Sequence, residues 1–243
     1  MRKNFIIIFL MLVMGVLPFV INSESGQATI NKTSSAYEKN LIMLSSTSTT
    51  NVLHDLIRQY SKKRNISISV SFDSTRALAR NIEEGDPANI FITEDQFVMK
   101  DLQQKGALNV FSISTLAKDD LVLAIPENHY LKERLQNKET LEEKLKLLAQ
   151  NAITVIADPN DDAAGKYAKQ ALEKLNLWEQ FDEKTIKAAN TRNATYLASK
   201  GNNAAIVYRS DVANNNSLKI ISDLNQLTNE IVYQISIVAD INQ

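Results

Sequence analysis

Beyond residue 40 the chain repeats one pattern: a short apolar run of strand length, a polar break, and then apolar positions returning at intervals of three and four. Residues 41–44 are apolar, residues 45–50 all carry hydroxyls, and Leu53, Leu56 and Ile57 resume with helical spacing. This predicts strand, loop and helix N-terminus. Residues 66–72 alternate apolar and polar as a half-buried strand does, then pass through Asp73, Ser74 and Thr75 into an amphipathic helix reaching Ile82. A third unit has a strand over 152–157, a loop over 158–165 and a helix over 166–175 with Tyr167, Ala168, Ala171, Leu172 and Leu175 on its apolar face. Further strands are predicted at 88–93, 121–125, 204–208, 218–221 and 231–238, with helices over 95–104, about 140–148 and 191–199. Strands alternating with helices predict parallel α/β units rather than a sandwich or a bundle.

The polar breaks carry the chemistry. A helix start offers free N–H groups and the positive end of the helix dipole, and the hydroxyls of residues 45–50 add neutral donors around it. That combination suits an anion without using cations. A single such break is an ordinary helix cap. Its recurrence at 73–75 and 158–165 predicts three helix N-termini converging on one crevice, the third with Ala163, Ala164 and Gly165 small enough for a ligand to approach the backbone.

Composition removes several classes. There are 27 Lys and Arg against 28 Asp and Glu, scattered rather than striped, so no electrostatic footprint for nucleic acid is present. Cysteine is absent, which excludes disulfides, thiolate metal sites and a Cys nucleophile. His54 and His129 stand in polar contexts without a partner at metal-ligand spacing and are expected to face solvent. Glu94-Asp95 and Ser210-Asp211 read as helix caps rather than catalytic pairs, so an enzyme is not expected.

The N-terminus reads as an export signal over residues 1–25. Arg2 and Lys3 precede an apolar run over 5–20, and cleavage is expected after Ser23 or Ser25. Residues 26–39 are expected to form a disordered lead. The remainder divides into lobe 1, over 40–120 and 226–243, and lobe 2, over 121–225.

With these segments in hand, the chain resembles the periplasmic molybdate-binding proteins of ABC transporters, which have the two-lobed type II solute-binding fold. The resemblance runs through Ser48-Thr-Thr-Asn-Val-Leu-His-Asp55, Phe72-Asp-Ser-Thr-Arg-Ala-Leu-Ala-Arg80, Gly85-Asp-Pro-Ala-Asn-Ile-Phe-Ile-Thr-Glu-Asp95, Asp158-Pro159 with Ala164-Gly-Lys-Tyr-Ala-Lys169, and Ile206-Val-Tyr-Arg-Ser-Asp211. It implies an α/β chain with a mostly parallel, helix-flanked sheet in each lobe. The oxyanion contacts it implies are Ser48 (hydroxyl and N–H), Thr75 (hydroxyl), Ala164 (N–H), Thr191 (N–H) and Tyr208 (phenol). Molybdenum would enter only within molybdate, or tungsten within tungstate, as cargo, with no cofactor. The implied setting is a periplasmic monomer serving an ABC transporter permease. Such a donor-only cleft would select a dianion and reject a proton-bearing anion such as hydrogen phosphate.

Several positions depart from the family pattern. Thr75 stands in place of Ser, Thr191 in place of an aliphatic residue, Asn89 in place of Asp, Ala163 in place of Pro, and Arg76 in place of a small residue where it would line or block the cleft. These keep open a second reading, a degenerate member acting as an envelope interaction protein. The family's C-terminal helix is expected to be missing, which would leave Leu53, Leu56, Ile57, Leu78 or Ile82 facing solvent.

Overall fold

The computed structural model describes residues 40–64, 66–213 and 215–239; the export signal and the lead expected over 1–39 lie outside them. In chain order, β1 (Asn40–Ser46) runs through a 3-10 turn (Thr47–Thr49) into α1 (Thr50–Arg64), β2 (Ser67–Asp73) into α2 (Thr75–Glu83), and β3 (Ile90–Thr93) into α3 (Gln96–Gln104). After β4 (Ser114–Asp119) a single residue leads to β5 (Leu121–Pro126), followed by α4 (Lys132–Gln136) and α5 (Leu141–Asn151). Then come β6 (Thr154–Ala157), α6 (Ala163–Lys174), α7 (Trp178–Asp182), β7 (Thr185–Ala188), α8 (Thr191–Gly201) and β8 (Ala204–Tyr208). The final elements are α9 (Arg209–Ala213), β9 (Leu218–Asp223) and β10 (Ile231–Ile237).

These strands form two five-stranded sheets, ordered β2-β1-β3-β10-β4 and β7-β6-β8-β5-β9. In each sheet four strands run one way. The exceptions are β10, antiparallel to β3 and β4, and β5, antiparallel to β8 and β9. Helices cover both faces, which explains why the central strands read as unbroken apolar runs. In β5, Leu121, Leu123 and Ile125 enter the core under α5 and α6, while Val122 and Ala124 enter a second core with Ala194 and Ala198 of α8. The first sheet splits likewise, Leu44 and Phe91 to one side and Met43 and Ile92 to the other. Strand β2, at the sheet edge, keeps the alternating half-burial its sequence predicts.

The chain crosses between sheets twice, from β4 to β5 and from β9 to β10. Arg209 ties the crossings together: its Nε donates to Asp120 Oδ2 at 2.9 Å and its Nη2 pairs with Asp223. Asn225 Nδ2 adds a bond to Asp120 Oδ1 at 2.7 Å.

Three expectations are corrected. Helix α6 begins at Ala163 rather than Lys166, because Asp162 caps it by accepting from Ala164 N–H. Its small residues serve packing: a Cβ on Gly165 would lie 2.3 Å from the Ala157 carbonyl oxygen, so only glycine lets the first turn rest on the end of β6. His129 is buried, not solvent-facing. Its Nδ1 accepts from Leu131 N–H at 3.2 Å and its ring stacks on Tyr130, a local turn that folds the imidazole inward and lowers its pKa by burial. The first-lobe apolar residues are covered as well. Leu78 and Ile82 pack with Phe91, Met99, Leu102 and Leu108, and Leu53 and Leu56 pack with Met43, Ile92, Leu116 and Ile235, while Ile57 is partly buried against them.

Candidate functional site

The elements that begin at the ends of the parallel strands meet between the two sheets. Lys166 of α6 pairs with Asp95, which also caps α3 through the N–H groups of Phe97 and Val98. The Tyr167 hydroxyl donates to the Glu94 carbonyl at 3.1 Å, and Arg192 of α8 donates to Asn51 Oδ1 of α1 at 3.2 Å. Each of these contacts joins a residue of one sheet's surroundings to a residue of the other's. The cleft is therefore closed.

Within it, most hydroxyls of the 45–50 run are absorbed locally. Ser45 bonds Thr49 at 2.7 Å, Thr49 donates to the Ser46 carbonyl at 2.8 Å, and Thr50 to the Thr47 carbonyl at 2.6 Å. Ser48 differs. Its Oγ donates to Glu94 Oε1 at 3.1 Å and lies 3.1 Å from Ser46 Oγ. Glu94 follows β3 directly, is 1 % exposed, and has no hydrogen-bond partner on its other oxygen, Oε2. Burial pushes its carboxyl pKa up, opposed by the Ser46 and Ser48 hydroxyls. Two phenols complete the centre. Tyr208, at the end of β8, and Tyr233, on β10, are buried with their rings edge to face at 6.3 Å, and neither hydroxyl has a partner. Burial raises both phenol pKa values, with the Glu94 charge as the second cause. Buried polar atoms are as a rule hydrogen-bonded, so Glu94 Oε2 and the two phenol hydroxyls are available to a ligand.

The five expected contact residues fare differently. Ser48 is hydrogen-bonded to Glu94, and Tyr208 feels the Glu94 charge, which adds to burial in raising its phenol pKa. Thr75 starts α2 with its hydroxyl 2.8 Å from that of Thr93, one residue before Glu94. The Ala164 N–H is engaged by Asp162 Oδ1 at 2.9 Å. Thr191, fully buried at the start of α8, donates its hydroxyl to Asp211 Oδ2 at 3.0 Å. Arg76 does not fill the cleft; its side chain is exposed, with Nε 3.9 Å from Asp161.

The charged pairs read as caps need correcting. Asp95 is a cap, but Glu94 is not: one residue earlier, directly after the last residue of β3, it is buried in the cleft. Asp211 receives Thr191 instead of capping, and burial pushes its carboxyl up to about 7. Asp162 does cap α6, yet burial and the Glu94 charge push it up to about 8 against the Ala164 and Gly165 N–H groups. The cleft is thus not lined by donors alone. Glu94, Asp162 and Tyr233 were missed in sequence; a charged residue between a buried strand and a capping Asp was the available signal for Glu94. Among the described residues no group of three or more His, Asp or Glu side chains is arranged to hold a metal ion.

The family model described as bacterial extracellular solute-binding protein matches residues 41–243. The chain belongs to this family. Among its relatives, the molybdate-binding protein ModA of Escherichia coli (strain K12) is 31 % identical over 190 residues, spanning 77 % of this chain and 72 % of that protein. ModA of Haemophilus influenzae is 28 % identical over 194 residues, covering 79 % and 75 %. The solved structures agree on architecture. The periplasmic molybdate-binding protein of Azotobacter vinelandii superposes with a TM-score of 0.65 at 19 % identity, over 82 % of this chain and 85 % of that one. The tungstate ABC transporter structure from Geobacter sulfurreducens gives 0.63 at 19 %, over 83 % and 85 %. The fold of this solute-binding protein is the two-lobed type II α/β fold of the periplasmic binding proteins.

Proposed function

We propose that this chain binds one molybdate or tungstate between its lobes and presents it to an ABC transporter permease, as a monomeric transport component rather than an enzyme. The reading rests on the unpartnered Tyr208 and Tyr233 hydroxyls beside Ser48, at the point where helix starts from both lobes meet. Ser48 and Tyr208 are the central donors, the Thr75 hydroxyl and the Ala164 N–H contribute once their present partners are exchanged for ligand oxygens, and Thr191 contributes its N–H. Neutral donors suit a tetrahedral dianion because they stabilise spread charge and select by size and geometry. The names of the relatives support the same ligand. The apolar run at 5–20 supports export to the periplasm.

Calorimetric titration with molybdate, tungstate and sulfate tests this reading. The expected result is one molybdate or tungstate per chain, with weaker sulfate binding. A ligand at a hundredfold excess over Kd stabilises the fold by about 2.7 kcal/mol, so the melting temperature should rise with molybdate and little with sulfate. Equal shifts for every divalent oxyanion, or none, would reject the assignment.

A further inference from the structure

The oxyanion reading leaves one group of the cleft unused. Glu94 is buried, its Oε2 has no partner, and it shares its surroundings with the ligand donors proposed above. From the 3-10 turn it faces Ser48, with Ser46 at the end of β1 beside it. From α6 the Tyr167 hydroxyl reaches its carbonyl, and Asp162 at that helix start is close enough for the two charges to repel. Tyr208 of β8, Tyr233 of β10 and Asp211 of α9 all lie within reach of its charge, and Asp95 is its chain neighbour. The cations go elsewhere: Lys166 to Asp95, Arg76 to Asp161, Arg192 to Asn51. A dianion entering here would meet an ionised carboxylate with no cation between them, inside a cleft from which water is excluded. Two like charges sharing a buried site repel strongly, and the repulsion is relieved when one of them takes a proton.

We propose that Glu94 enters the complex protonated and donates its O–H to an oxygen of the bound dianion, making it the residue that couples oxyanion binding to proton uptake. This rests on the oxyanion reading above. The balance is simple: ionised protein, one proton from solvent and one dianion give a complex in which Glu94 is neutral. Burial already raises the Glu94 pKa, which favours the neutral form before any ligand arrives. The orphaned Oε2 is then not a defect but a hydroxyl awaiting an acceptor.

Calorimetry of the mature protein with molybdate decides the matter, run in buffers of different ionisation enthalpy from about pH 6 to about pH 9. The expected result is uptake approaching one proton per molybdate on the alkaline side, with affinity falling up to about tenfold per pH unit there. In Glu94→Gln the amide donates at every pH, so the share of proton uptake and slope that belongs to Glu94 should be lost, leaving only what Asp162 and Asp211 contribute, while binding persists. Wild-type affinity that is flat with pH, without proton exchange, overturns the proposal while leaving the oxyanion reading intact. So does a Glu94→Gln or Glu94→Ala protein that keeps the wild-type slope. Absence of molybdate binding by wild type at about pH 6 removes both readings. Should Glu94→Gln not fold, as followed by circular dichroism, Glu94→Ala takes its place, and a wild-type proton count near zero, or one that Glu94→Ala leaves unchanged, is the refutation.

Discussion

Asp162 offers a test that needs no ligand. Its carboxyl, 4 % exposed, caps α6, yet burial and the Glu94 charge push its pKa up to about 8 from an ordinary value of 3.8. Between those two values the folded chain holds a proton that the unfolded chain has released. Stability therefore falls as pH rises, at about 1.4 kcal/mol per pH unit for one such group, which is about 2.7 kcal/mol between pH 5 and pH 7. Asn caps a helix about as well as Asp and cannot ionise. Asp162→Asn should accordingly keep the Ala164 N–H bond and lose that share of the slope. The measurement is urea unfolding of both proteins at about pH 5, 6 and 7, followed by far-UV circular dichroism and by the fluorescence of Trp178, the single tryptophan, which packs against the same core. Asp211, pushed up to about 7, adds slope to both proteins and largely cancels in the difference. The two stability curves should diverge towards alkaline pH, with the variant above. Parallel curves would refute the reasoning, since they would mean that Asp162 is ionised throughout.

Other outcomes follow from the same geometry. Ser48→Ala and Tyr208→Phe should each weaken molybdate binding by about ten- to a hundredfold, the worth of one hydrogen bond to a charged ligand. Tyr208→Phe should leave the melting temperature of the unliganded protein unchanged or higher, because the hydroxyl it removes has no partner; wild-type affinity in both variants would put these residues outside the site. Lys166→Met breaks the bridge to Asp95, which keeps its two cap bonds, so the closed form should lose about 1–2 kcal/mol and molybdate affinity about five- to thirtyfold. Unchanged affinity, together with unchanged small-angle scattering of the unliganded chain, would show that the bridge does not hold the lobes. Gly165→Ala forces a Cβ against the Ala157 backbone and should destabilise by about 1–3 kcal/mol or more in chemical denaturation, whereas no effect would mean that α6 can retreat freely from β6.

The fold was legible where burial obeys local periodicity. The apolar run of 121–125 was read as a strand and is one, buried throughout, the alternation of 66–72 gave a half-buried strand, and Thr140 with Glu143 forms the capping box that starts α5, where a helix was expected. Sequence reasoning failed where a residue's role is set by distant neighbours. Gly165 was read as room for a ligand, because the contact that requires a glycine there, the Ala157 carbonyl, lies on a strand eight residues earlier. His129 looked exposed because its neighbours are polar, although its side chain turns inward onto a Leu131 N–H. Of the candidate site, Ser48 was visible as part of a hydroxyl-rich helix start, and Tyr208 only through the family resemblance. Glu94 hid behind Asp95: the two acids look alike in sequence, and the single-residue offset that makes one a cap and sends the other into the cleft is decided by where β3 ends.

The Arg209 clamp has a mechanical consequence. One guanidinium grips Asp120 on the first crossing and Asp223 on the second, so the two connecting strands are riveted at a fixed spacing where they leave the second sheet. They cannot slide lengthwise past each other without breaking that grip. They can bend together, as a two-ply ribbon does. Lengthwise sliding of one crossing past the other is the displacement that this shared guanidinium opposes.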